Sequence, residues 1–172
     1  MSTVDKAVGE TADKPTADTP RTARVRIGVA LAPPTDVSDW LREGAAFDAA
    51  GADALWLDLG DDDALDPYVL AAALAAVTYR CQLMLELTAE NPRATQTLAT
   101  VSRGRAVVAQ DAAKRWERVE VPAGKAAWRD AMAKAAERGA HGLVVGADPR
   151  LLDLLRNPDE DIDRRDLQLA AG

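Results

Sequence analysis

The sequence predicts an α/β protein built on a parallel sheet, and three observations carry the prediction. Short apolar runs alternate with longer segments of helical periodicity through the middle of the chain. The runs, among them "RIGVAL", "DALWLD" and "HGLVVG", are almost continuously apolar, which marks strands buried on both faces. The segments between them are long enough for a helix, and strands joined in that way pair in parallel through right-handed crossovers. The pattern fits an open parallel sheet of about five strands with flanking helices, doubly wound, or a partial (β/α)8-type barrel. A full barrel typically needs at least about 200 residues, and this chain has 172.

Each element has its own local reason. Residues 1–23 are rich in Thr, Asp, Lys, Ala and Pro, too poor in large apolar side chains to offset ordering entropy, and are expected to form a disordered tail. Arg24 to Leu31 is the first strand. A proline stop follows, then Thr35 or Asp36 as a helix cap, apolar Val37, Trp40, Leu41 and Phe47 at helical spacing, and Gly51 as a left-handed terminator. Asp53 to Asp58 is the second strand, and Pro67 to Thr78 is a helix with proline in its first turn and a stripe of Leu70, Leu74 and Val77.

"CQLMLEL" is the third strand. "NPRATQTLATVSRG" reads as a helix, although Thr95, Thr97 and Thr100 weaken its propensity. "RAVVAQ" is the fourth strand, and "DAAKRWERVEV" is a polar connector in which Trp116, of the four tryptophans the one nearest to exposure and to anchoring a partner, is expected rather to fold back onto its own domain. The alanine-rich segment Gly124 to Gly139 is the strongest helix, "HGLVVG" the fifth strand, and "PRLLDLLRN" a short terminal helix. One domain over residues 24–150 is expected, with residues 151–172 forming that helix and a charged arm.

Composition bounds the function. Apolar residues make up 48% of the chain, as in globular proteins, and the longest apolar window, Val69 to Val77, falls short of the roughly 20 residues that cross a bilayer. The amino terminus lacks the basic-then-apolar order of a secretory signal, so a cytoplasmic protein is expected. Cys81 is the only cysteine, which excludes an intrachain disulfide, and its apolar surroundings suggest a buried, inert thiol. A net charge of -7 repels phosphate backbones and argues against a nucleic-acid partner.

Parallel sheets collect ligands at the carboxyl ends of their strands. There stand Asp58, Glu86, Asp111 and Asp148, while Arg24, Arg80, Arg105 and His141 stand at the opposite ends. A ring of carboxylates suits general acid and base work or a hard cation, but charged residues also mark where any buried strand meets water. His141 is the only histidine, so a histidine cluster for a metal is excluded. Ser38 and Ser102 lie outside any G-x-S-x-G elbow, and neither a G-x-G-x-x-G turn after the first strand nor a phosphate loop is present.

The order of the pieces from Arg26 to about Gln110 resembles the amino-terminal half of the bacterial-luciferase-like monooxygenases, (β/α)8 barrels that use flavin mononucleotide (FMN) or a deazaflavin coenzyme. "RIGVAL", "AAGADALWLD", "DPYVLAAALAAVTYRCQLML" and "NPRATQTLATVSRGRAVV" carry the resemblance. Asp66, Pro67, Leu70, Leu74, Ala75, Thr78, Arg80 and Leu83 fit the family's third unit, and Ser102, Gly104 and Arg105 its entry to the fourth strand, with Arg103 where a glycine is usual. The resemblance implies a flavin-dependent oxidoreductase in shortened form, with Asp58 and Glu86 as catalytic residues facing the flavin and Asn91 and Asp111 beside the cofactor. Leu59 stands where the family often has a histidine, and the units that hold the flavin phosphate are missing after Gln110. The alternative is a non-catalytic relative, a homo-oligomer or a subunit of a larger assembly, whose incomplete barrel is finished by a second chain.

Overall fold

A computed structural model describes residues 24–60, 65–87, 91–108 and 115–156. The expected amino-terminal tail and the arm beyond residue 156 lie outside them. Among the described residues six strands and five helices follow one another, alternating except at β4 and β5: β1 Arg26–Leu31, α1 Val37–Ala50, β2 Ala54–Leu57, α2 Pro67–Val77, β3 Gln82–Leu85, α3 Pro92–Val101, β4 Ala106–Val108, β5 Trp116–Arg118, α4 Lys125–Glu137, β6 Gly142–Gly146 and α5 Pro149–Arg156. All pairings are parallel, in the order β4-β3-β2-β1-β6-β5, and the sheet is open, with β4 and β5 at its edges.

One expectation is corrected. The connector around Trp116 contains a strand, β5, paired with β6 through Trp116 opposite Gly142 and Arg118 opposite Val144. "HGLVVG" is therefore the sixth strand, not the fifth. The charges of Glu117 and Arg118 hid β5, because an edge strand can send them to solvent on both sides.

The caps follow from chemistry legible in the sequence. Asp36, not Thr35, caps α1 by accepting from the Asp39 N–H at 2.8 Å, and Gly51 ends the helix at φ 104°. Asp66 caps α2 through the Tyr68 and Val69 N–H groups, with Pro67 in the first turn.

All five helices cover one face of the sheet. Their buried side chains, from Trp40 and Phe47 to Leu151 and Leu154, join Val29, Leu31, Leu55, Leu57, Leu83, Leu85 and Val145 in the main core. A doubly wound arrangement would place helices on both faces. The second face instead carries a small cluster of Ala30, Ala54, Trp56, Met84 and Val144, roofed by Trp116 and Val107.

The sheet is strongly curled around that second face. In a flat sheet β2 and β5, three strands apart, would lie about 14 Å from one another. Yet the Trp56 and Trp116 rings meet edge to face at 5.7 Å between centroids, and Arg118 Nη1 lies 2.6 Å from Asp58 Oδ2. The chain length makes the same demand. In a flat sheet Val108 and Arg115, at opposite edges and opposite ends, would be roughly 31 Å apart, and the seven Cα steps joining them reach about 25 Å at full extension. Glycines make the curl possible by leaving room for the two indoles. A Cβ added to Gly142 would overlap the Trp116 ring, and one at Gly28 would overlap Trp56.

Candidate functional site

The carboxyl ends of β1, β2, β5 and β6 surround a cleft of about 690 Å³. Its outer wall is the β1–α1 loop, where Pro33 and Pro34 restrict the backbone and the Trp40 indole N–H donates to the Ala32 carbonyl at 2.9 Å. Its floor is the small-residue side of the sheet, Ala30, Val144 and Gly146. The charged side chains lining it are Asp36, Asp39, Glu43, Asp58 and Arg118.

Asp58 lies where the sequence places it, at the cleft, and the structure adds the partner that sequence reasoning missed. Arg118 reaches across from β5 to bond it, with both side chains about half exposed. The one available signal was the helix after "WERVEV", since a strand before that helix would complete a further strand-and-helix unit. Glu86 follows β3 on an exposed position and does not line the cleft. Asn91 caps α3, accepting from the Ala94 N–H at 3.1 Å while its own N–H donates to the Tyr68 hydroxyl at 3.0 Å. It lines a different groove, between α2 and α3. Asp111 lies outside the described residues. The three predicted residues that are described, Asp58, Glu86 and Asn91, are thus not gathered into one site.

Asp148 is occupied by Arg150, whose side chain and backbone N–H both donate to it and hold its carboxyl below the usual range. His141 lies at the amino end of β6, edge to face with Trp116 at 5.4 Å and 3.3 Å from Arg26 Nη1. Burial, then the charges of Arg26 and Arg115, lower its pKa and favour the neutral ring. The Cys81 thiol is fully buried and its pKa is pushed up to about 12, by burial first and then by Asp48, which leaves it protonated and inert. Among the described residues no group of three or more His, Cys, Asp or Glu side chains is placed to hold a metal ion.

The residues that carry the family resemblance have structural work. Thr78 donates to the Leu74 carbonyl at 2.7 Å and accepts from Arg105 at 3.0 Å. Arg105 also donates to the carbonyls of Ala75, Thr78 and Cys81, tying the start of β4 to the end of α2. Ser102 Oγ accepts from the Ala106 N–H, and Arg80 donates to the carbonyls of Asp48 and Ala49. Arg103 takes φ 55°, a left-handed conformation that suits the glycine usual at that position. Compared with known proteins, the chain matches no family model and no curated protein.

Proposed function

We propose that the chain is a shortened, cytoplasmic relative of the luciferase-like flavin oxidoreductases that acts as a self-associating subunit or interaction protein rather than as a flavin enzyme. The strand order supports the kinship. Read from β5 through β6, β1, β2 and β3 to β4, it is the cyclic order of a (β/α)8 barrel in which the last strand lies beside the first. The gap falls between β4 and β5, where seven residues join the strands and a full crossover helix has no room.

The observation that carries the loss of flavin chemistry is the charge of the carboxyl-end cleft. FMN ends in a phosphate dianion, which needs cations or a cluster of N–H donors. Of the five charged side chains among the cleft's described lining residues four are carboxylates, and Arg118 is already bonded to one of them. These residues do not fit the phosphate.

Self-association has its own support. The groove between α2 and α3 holds about 410 Å³ and is lined mainly by Tyr68, Val69, Ala72, Ala94, Leu98 and Val101. Val69 is 65% exposed and Val101 47%, an open apolar face of the kind that a second copy covers.

Light scattering across a concentration series tests the association. We expect a dimer that the paired substitution Val69→Glu and Val101→Glu converts to a folded monomer. A wild-type chain that stays monomeric at high micromolar concentration refutes it. Titration with FMN, a deazaflavin coenzyme and riboflavin tests the rest. No quenching by FMN or deazaflavin is expected, and saturable binding of either returns the protein to the flavin enzymes. A second reading, a site for an uncharged planar ring, draws on the cleft's volume and position, and binding of riboflavin without FMN is its signature.

A further inference from the structure

We propose that a second cleft, at the amino ends of the strands, binds an amphiphilic anion: one carboxylate or phosphate head on an alkyl or aryl body. The cleft holds about 800 Å³ between β1, the turn before β2, α4 and α5. Among the described residues, four arginines line it, Arg24, Arg26, Arg80 and Arg129, against one acidic residue, Asp53. That concentration of positive charge stands out on a chain with a net charge of -7.

Arg80 and Arg26 are held by uncharged acceptors before any ligand arrives. Arg80 Nη2 donates to the Asp48 carbonyl at 2.6 Å and the Ala49 carbonyl at 3.1 Å. Arg26 donates to the Asp53 carbonyl at 3.3 Å and lies over the Trp116 ring. These acceptors fix the side chains without cancelling their charge, which lowers the ordering cost of binding an anion. Asp53 is itself engaged, accepting from the Ile27 N–H at 2.8 Å and facing Arg24 at 3.5 Å.

Beneath this rim the lining is apolar. Trp128, Met132 and Leu155 belong to it, from α4 and α5. An inorganic anion would leave that surface wet, and a neutral lipid would leave the guanidinium groups without a charged partner. A molecule with both parts satisfies both. The site is separate from the carboxyl-end cleft, whose charge has the opposite sign.

Calorimetric titration of the full chain, below the micelle-forming concentration, tests the assignment with octanoate, octyl phosphate, inorganic phosphate and octanol. Octanoate and octyl phosphate are expected to bind one to one, at least about tenfold more tightly than inorganic phosphate or octanol. The tighter of the two identifies the head group. The double substitution Arg24→Ala and Arg129→Ala, at exposed positions, is expected to weaken both by about tenfold or more while leaving the thermal midpoint nearly unchanged. Inorganic phosphate binding as tightly as octyl phosphate, unaltered affinity in the double variant, or no heat from either octyl anion overturns the proposal.

Discussion

Asp48 is a buried carboxylate with no cation on its oxygens among the hydrogen bonds described, yet it is well satisfied. Its oxygens accept from the backbone N–H groups of Tyr79, Arg80 and Cys81 at 2.9, 3.0 and 2.7 Å, pinning the end of α1 to the turn before β3. Burial alone would raise its pKa, but the three N–H donors outweigh that and hold it below the ordinary value. A depressed folded-state pKa adds stability that is present above the unfolded value of 3.8 and is lost as pH falls through the folded one. Asp48→Asn is expected to cost about 2–3 kcal/mol near neutral pH, because an amide offers one acceptor oxygen where the carboxylate offers two. Denaturant titrations at several pH values should also show a shallower loss of stability below pH about 4 in the variant. Equal acid slopes would mean that Asp48 is not the group responsible. Arg103 gives the opposite sign. It is the one non-glycine residue at positive φ among those described, and Arg103→Gly removes a penalty of about 1 kcal/mol, partly offset by glycine's greater freedom when unfolded. A net gain of roughly 0.5 kcal/mol in unfolding free energy is the expected outcome.

At the scale of elements, the helices and central strands were legible because their signals are local. Asp66 followed by Pro67, and Gly51 after an apolar helix face, each name a boundary by stereochemistry alone. β5 was not legible, since its three residues carry two charges and their meaning depends on what lies across the sheet. Arg118 makes sense only opposite Asp58, and Trp116 only above Gly142, contacts separated by tens of residues. Asn91, which the resemblance placed beside a cofactor, has a local duty of its own as the cap of α3. The Trp116 assignment can be tested directly. Gly142→Ala places a methyl group into the indole, so the ring must move or the strands must part. The expected result is a loss of about 1–3 kcal/mol with a red shift of tryptophan emission. An unchanged spectrum and midpoint would place Trp116 elsewhere.

For the whole molecule the question is what keeps a six-stranded open sheet curled. The Asp58–Arg118 pair is a weak candidate, since both side chains are about half exposed and such pairs contribute roughly 0–1 kcal/mol. The short link between β4 and β5 restricts how far the edges can separate, but a tether limits and does not attract. The inner face is the stronger candidate. Trp56 is 3% exposed and packs with Ala54, Met84 and Val144 under Trp116, apolar area that opening the sheet would return to water. Inserting twelve Gly and Ser residues between Val108 and Arg115 separates the two causes. If packing holds the curl, lengthening the link costs only loop entropy, about 1 kcal/mol for a threefold longer connection, and the tryptophan emission stays blue. If the link holds it, the insertion lets β5 and its tryptophan swing away, with a loss of several kcal/mol and a red-shifted spectrum. We expect the first result, because the buried inner face supplies an attraction between the sheet's two halves that a tether does not.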